Sequence, residues 1–579
     1  MTRRNFIKLS GLTAAALSPM ARIGSAIGAT GVASTQLNAS ATFSDYKALV
    51  VVFLDGGNDS MNMVVPTADT AHGHYTAIRG VYAVDAGTGQ ATNAGLGISK
   101  TDLDPNLTVG ADGHFLWNST DGQPYKDAPS TNPSDDALAD QAIRSYRKGV
   151  YDTTETTNNG NGTYTNTATK TGLGINSMMP EIAAMYKKGK VSIVTNVGTL
   201  VNPITRTQVD AFDAGTAADG SPIPPVFLFA HNHQKRAVYT CQAEQLGATG
   251  WAGKLADAWR VNDPIGLNLT YGDVNRLGIG VSTSPLKMPT DAPVSFETAH
   301  REPINRAKGG PFEDLLNRLQ TITKTDAFSD YYSNKIKKAG DLSSTLIGAM
   351  ESKPIFSEFT AKNSYGLDLF SYEYEGVPAK DFTKDIVGLT MHDEIRDGIF
   401  QQLRAAAEMI KVGKEQLNHP RQIIYIRMPG FDTHSGQAAH QLNDFRSLSM
   451  AMGDFQKAIE EMGMKEEVLT MTLSDFGRTL KNNSDGTDHG WGQNNFVMTG
   501  DPSFNGGNVY GTVLDDLSLE GPNSYTKKGR IIPTTSIEQM ISPCLKWFGV
   551  SPALMPTILP NLANFNGHSN TANLQGMFT

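Results

Sequence analysis

Residues 48–54, Ala-Leu-Val-Val-Val-Phe-Leu, form an unbroken apolar and largely β-branched run that stops at Asp55-Gly56-Gly57-Asn58-Asp59. A run with no polar face leaves nothing for water to solvate. It suits a strand covered by helices on both sides, as in a parallel sheet, and not a half-solvated antiparallel one. Alternating signals follow. A helix is expected over 179–188 and a strand over 191–197. An amphipathic helix is expected over 393–412, where Ile395, Ile399, Leu403, Ala406 and Ile410 recur at three or four. Strands at 422–427 and 468–473 flank a helix at 437–462. The fold class is therefore α/β, with a mixed, mostly parallel sheet, helices on both faces and loop-rich insertions.

Three of these strands run into an aspartate: Asp55, Asp432 and Asp475. Parallel sheets build their sites at the carboxyl ends of the strands, so the three carboxylates are expected on one edge. One such Asp is an ordinary turn residue or helix cap. Three, with two histidines close in sequence, point to a shared cation. His434 follows Asp432 by two residues, and His489 lies in Asp488-His489-Gly490-Trp491-Gly492, where glycine lets the backbone bend round a site. Asp55, Asp432, His434, Asp475 and His489 together make an O/N ligand set suited to Zn²⁺ or Mn²⁺, with Mg²⁺ or Ca²⁺ favoured if carboxylates dominate. Singly, either histidine reads as a hydrogen-bonded loop residue.

At these residues the chain resembles the bacterial family named domain of unknown function 1501. The resemblance rests on Phe53-Leu54-Asp55-Gly56-Gly57-Asn58-Asp59 with Asn62, on Gly250-Trp251-Ala252-Gly253-Lys254-Leu255-Ala256-Asp257, and on Gly430-Phe431-Asp432-Thr433-His434. It continues through Ser474-Asp475-Phe476-Gly477-Arg478-Thr479, Gly486-Thr487-Asp488-His489-Gly490 and 529–534, in order along nearly all of the chain beyond the N-terminal segment. That family is similar to the alkaline-phosphatase/sulfatase superfamily, which implies a metal pair around a nucleophilic Ser, Thr or modified Cys. Asp55, Asp432, His434, Asp475 and His489 match the superfamily's ligand positions. The resemblance implies a metal-dependent hydrolase of phosphate or sulfate esters, or a non-catalytic binding or assembly protein on the same fold.

The sequence departs from the superfamily pattern in three ways. The Asp-His pair is closer than the usual Asp-x-x-x-His. Phe476 stands where a histidine often follows the aspartate, which puts one metal site in doubt. No nucleophile is evident. By chain order it should follow the strand at 191–197, where Thr205 or Thr207 is the candidate, with Arg206 to hold an anionic substrate oxygen. The same threonines also read as caps of the next helix. His231 and His233, in Phe229-Ala230-His231-Asn232-His233-Gln234, could reach a metal or a substrate, but read first as part of a polar loop over the site and fall outside the core ligand set.

The chain opens Arg3-Arg4-Asn5-Phe6-Ile7-Lys8, followed by a short Gly/Ala-rich apolar stretch and Gly24-Ser25-Ala26. This resembles a twin-arginine signal peptide over 1–26, which implies the twin-arginine translocase as an export partner and a periplasmic or secreted location. An ordinary secretory signal is the alternative. No stretch is apolar enough to span a membrane in the mature protein. Residues 27–44 read as a linker, 45–565 as the α/β domain and 566–579 as a tail. Within the domain, 81–171 is a loop-rich insertion and 290–390 a possible helical cap. The net charge of −9 supplies no basic field for nucleic acid. An anionic small molecule or glycan is the expected substrate class. Cys241 and Cys544 either pair in an oxidising compartment or remain buried free thiols.

Overall fold

The computed structural model describes residues 43–81, 83–84, 91–93, 95–98, 100, 150–159, 164–176, 178–245, 247–259, 267–290, 359–363, 368–371 and 397–579. The signal at 1–26, most of the linker and most of the expected cap at 290–390 lie outside them.

The chain builds one nine-stranded sheet from β1 (Lys47–Asp55), β2 (Val191–Gly198), β3 (Asn268–Thr270), β4 (Leu286–Lys287), β5 (Arg421–Pro429), β6 (Val468–Ser474), β7 (Gln493–Thr499), β8 (Val509–Gly511) and β9 (Thr535–Ser536). The order is β8-β2-β7-β6-β1-β5-β3-β4, with β9 also paired to β2. All pairings are parallel except those of β7, which runs antiparallel to both β6 and β2. The sheet is thus largely parallel, as the two-faced apolar runs require.

The helices that position the site are α1 (Asp69–Arg79), α2 (Pro180–Lys187), α3 (Arg206–Asp213), α4 (His231–Thr240), α5 (Trp251–Trp259), α6 (Asp397–Glu415), α7 (Gln437–Glu461) and α8 (Ile537–Phe548). β1 explains the layering. Val50, Val52 and Leu54 point into a core with Ile182 of α2, Leu403 of α6 and Phe455 of α7. Leu49, Val51 and Phe53 point the other way, into a core with Val238 of α4, Leu255 of α5 and Leu545 of α8. Successive residues of a strand face opposite sides, so one uninterrupted apolar sequence serves both cores.

Two expectations are corrected. Residues 150–158 and 164–176, inside and just beyond the expected loop-rich stretch, form a long antiparallel hairpin that also pairs with Val64–Pro66. Its threonines are β-branched, which favours the pleated backbone without an apolar signature. The expected tail is packed: Leu574 and Met577 are fully buried in the second core. Cys241 and Cys544 are buried free thiols in that same core.

Candidate metal centre

β1 lies between β5 and β6, with Asp55 paired to Pro429 and Leu54 to Ser474. The three carboxyl ends therefore share one edge. Ser474 Oγ donates to Leu54 O and accepts from Asn58 N at 2.9 Å, which ties two of the ends together. Gly56, at φ +123°, lets the loop after β1 lie against the one after β5. A Cβ there would sit 2.4 Å from Asp432 N.

After β5, the buried Phe431 anchors the turn, and Asp432 and His434 emerge half-exposed. After β6 the chain makes a hairpin, Arg478–Asn482 against Thr487–His489, which pairs Arg478 with His489. The buried Arg478 donates to Asp432 Oδ1 at 2.8 Å and to Thr487 Oγ1 at 3.1 Å. Gln437 Oε1 accepts from Thr433 and Thr487, at 3.1 and 2.6 Å, and joins the Asp432 loop to this hairpin. Gly486 lets the hairpin tip touch that loop: a Cβ would lie 2.2 Å from the His434 carbonyl carbon.

The third contributor lies outside the core ligand set expected from the sequence. His231, read from the sequence as part of a covering loop, is the first residue of α4 and faces the centre. Its Nε2 lies 3.0 Å from His489 Nε2 and 3.4 Å from Asp432 Oδ2. His434 Nε2 lies 2.9 Å from His489 Nε2 and 3.1 Å from Asp432 Oδ1. His489 Nε2 is 3.3 Å from Asp432 Oδ1. Ligand atoms of His231, Asp432 and His489 lie within 4.8 Å of one another.

The far nitrogens decide what this convergence means. His231 Nδ1 is 2.8 Å from Asp475 Oδ2, and His489 Nδ1 is 2.8 Å from the Phe229 carbonyl oxygen. A carboxylate and a carbonyl only accept, so both Nδ1 atoms carry hydrogen. With their Nδ1 hydrogens held in this way, both rings turn Nε2 toward each other and toward Asp432. Nε2 atoms so close repel as bare lone pairs unless a proton or a metal ion lies among them. Two nitrogens on one tetrahedral zinc stand roughly 3.3 Å apart, from metal–nitrogen bonds of about 2.0–2.1 Å. A ligating imidazole whose other N–H is held by a carboxylate or backbone carbonyl is the usual outer support of such a site.

The hydrogen bond to Asp475 raises the His231 pKa against the opposing effect of its burial. Burial lowers that of His489, which keeps it neutral. Burial pushes the Asp432 carboxyl up, but Arg478, His231 and His434 outweigh it and hold it below its ordinary value. Phe476 is buried, with its ring 4.8 Å from those of both His231 and His489. It walls the centre and offers no ligand atom.

Asp55 and Asp475 sit beside this cluster with different partners. Asp55 Oδ1 meets the Lys235 ammonium, and Oδ2 accepts from Arg427 Nε at 2.6 Å. Asp475 is buried, accepts Gly56 N at 3.1 Å and orients His231. In this arrangement neither is placed as the sequence suggested, at the point where the imidazoles meet.

Thr205, Arg206 and Thr207 are also placed differently from the expected nucleophile and clamp. Thr205 is the N-cap of α3, in a reciprocal box with Gln208. Arg206 is held by Glu520 at 3.1 Å and by the Gly521 carbonyl at 2.9 Å. Thr207 is exposed in the first turn. The orphan N–H groups at a helix start explain this segment better than catalysis does. His233 stacks on Phe227, ring centroids 4.3 Å apart. The sequence signal for His231 was its neighbourhood: an aromatic-rich turn immediately before a short polar helix.

A family profile described as "Protein of unknown function (DUF1501)" matches residues 412–520. That stretch contains Asp432, His434, Asp475 and His489. No curated protein matches the chain. Among solved structures, similarity extends to a crystal structure of Ps i-CgsB in complex with k-i-k-neocarrahexaose, at 9% identity over 66% of this chain and 71% of that one, with a TM-score of 0.26. It also extends to a structure named "Metabolism of multiple glycosaminoglycans by bacteroides thetaiotaomicron is orchestrated by a versatile core genetic locus (BT33336S-sulf)", at 10% identity over 69% and 76%, with a TM-score of 0.26. Likeness this distant carries no functional argument.

Proposed function

We propose that this chain is an exported, metal-dependent hydrolase-like protein whose His231, Asp432 and His489 hold one divalent cation, Zn²⁺ before Mn²⁺, and whose substrates are phosphate or sulfate esters. The observation that carries the reading is the convergence of Nε2 atoms whose partner nitrogens are tied off by Asp475 and by Phe229 O. Two or more imidazoles in the set favour zinc or manganese over calcium.

When bound, such a cation supplies Lewis-acid charge to an ester oxygen or to water. The protein's own part is support. Asp475 and the Phe229 carbonyl fix the tautomers of His231 and His489. Arg478 fixes Asp432, and Phe476 walls off one side. His434, with a side chain 46% exposed, stands on the open side, where a substrate oxygen would enter.

Thr205 caps α3 and Arg206 is held by Glu520, so the expected nucleophile and clamp are committed elsewhere, which favours a second reading, a non-catalytic binding protein for an anionic small molecule or glycan on the same fold. The Arg3-Arg4-Asn5-Phe6-Ile7-Lys8 opening supports passage through the twin-arginine translocase to the periplasm or beyond. Among the described residues, no helix is long and apolar enough to cross a membrane.

The test is to purify the exported protein, measure bound metal, and assay a panel of phosphate and sulfate monoesters and diesters. The hydrolase reading expects turnover that chelation abolishes and that His231→Ala and Asp432→Ala lose while remaining folded. Stoichiometric metal with no turnover across the panel would leave the binding reading.

A further inference from the structure

The proposed centre has a second half, and the residues there are already neutralised. Asp55 and Asp475 end adjacent parallel strands, one with 7% of its side chain exposed and the other with none. A cation between two buried carboxylates offsets the repulsion of their like charges. The Lys235 ammonium fills that place. It lies against Asp55 Oδ1 and 3.7 Å from Asp475 Oδ2.

The other carboxylate oxygens are occupied as well. Arg427 binds Asp55 Oδ2 at 2.6 Å, Gly56 N donates to Asp475 Oδ1 at 3.1 Å, and His231 Nδ1 meets Asp475 Oδ2 at 2.8 Å. Two negative charges therefore face two fixed positive ones. A divalent ion added here would meet two cations at short range. Helix geometry makes the arrangement natural. His231 and Lys235 are four apart on α4, so one helix face sends an imidazole to the cluster and an ammonium to the carboxylate pair.

From this we infer that Lys235 stands in for a second metal ion, so that the centre is mononuclear, with its one ion on the His231–Asp432–His489 side. The inference rests on the metal reading above. It adds that the Asp55–Asp475 half is held by the protein's own cation and gains a metal site only when that cation is removed.

The experiment is elemental analysis of the full exported protein after equilibration with Mn²⁺ and desalting, together with the electron paramagnetic resonance spectrum of the bound Mn²⁺. The wild type is expected to hold one equivalent with an uncoupled spectrum. Lys235→Met and Lys235→Gln are expected to hold two, with the exchange-coupled signal of a metal pair. Adding Asp55→Asn to either should return the count to one. Two equivalents in the wild type would overturn the inference and leave the metal reading standing. A folded Lys235 variant that still holds one would do the same. No metal in the wild type would overturn the metal reading and the inference with it. If both variants fail to fold, the wild-type spectrum still decides between one ion and a coupled pair.

Discussion

Asp475→Asn is nearly isosteric, yet the structure makes it a severe test of the centre. Asp475 Oδ1 receives the Gly56 backbone N–H at 3.1 Å, and Oδ2 receives His231 Nδ1 at 2.8 Å. An asparagine has one acceptor and one donor at these two places. The Gly56 donor is fixed by the backbone, so the amide oxygen must face it and the NH₂ must face His231. Nδ1 then has to accept, which moves the ring hydrogen to Nε2. That atom is the one proposed to bind the cation, and in the new tautomer it has no lone pair to give. Loss of such an outer support weakens metal binding by about 10–100-fold, or roughly 1.4–2.7 kcal/mol. Competition with a chromogenic zinc chelator measures it. His231→Ala should lower affinity too, and Asp475→Asn should cost little more in that background, because the two act through one ring. An affinity for the asparagine variant within twofold of wild type would refute the tautomer argument.

Other consequences follow from the same geometry. Arg79 and Asp59 form a fully buried bidentate pair at 2.6 and 2.9 Å, and Asp59 also accepts from Gln437. Arg79→Leu strands that charge and should cost about 3–5 kcal/mol in denaturant unfolding, with much of it restored by adding Asp59→Asn. Burial raises the Asp454 carboxyl to about 8. The folded state then keeps a proton that the unfolded chain releases above about pH 4, so stability falls as pH rises toward 8, by up to about 1.4 kcal/mol per unit. Asp454→Asn should flatten that slope in unfolding curves taken from pH 4 to 8, and an unchanged slope would count against it. The hydrogen bond that His231 donates to Asp475 raises the His231 pKa above the ordinary histidine range, while burial lowers that of His489. Metal must expel the His231 proton, so titrations should show affinity rising up to about tenfold per pH unit and levelling only above pH 6.5. An affinity flat between pH 6 and 8 would refute this proton release.

The central architecture was legible because the strands that carry it are apolar on both faces. β1, β5 and β6 had to be interior, and their terminal aspartates had to share an edge. Asp432, His434 and His489 could be grouped for that reason. Which carboxylates face a metal could not be read, because that depends on the partners that reach them. Lys235 and Arg427 come from α4 and β5, and nothing local to Asp55 announces them. His231 was missed for a related reason. Phe229, in a left-handed conformation at φ +72°, precedes α4 and sends its carbonyl to His489. That turn brings residues some 260 positions apart together, and bulky side chains seldom adopt it. Thr205 looked like a nucleophile because helix caps and catalytic hydroxyls draw on the same residue types. The strands at 150–158 and 164–176 were missed in and just past the stretch to 171 read as loop-rich, because their threonines favour strands without supplying an apolar period.

The most direct test is a zinc-soaked crystal with diffraction data above and below the zinc absorption edge. One anomalous peak per chain is expected, bonded to His231 Nε2, His489 Nε2 and an Asp432 oxygen at about 2.0–2.2 Å, with Lys235 still between Asp55 and Asp475. A peak seated on Asp55 and Asp475 instead, or no peak beside His231 in zinc-replete crystals, would contradict it.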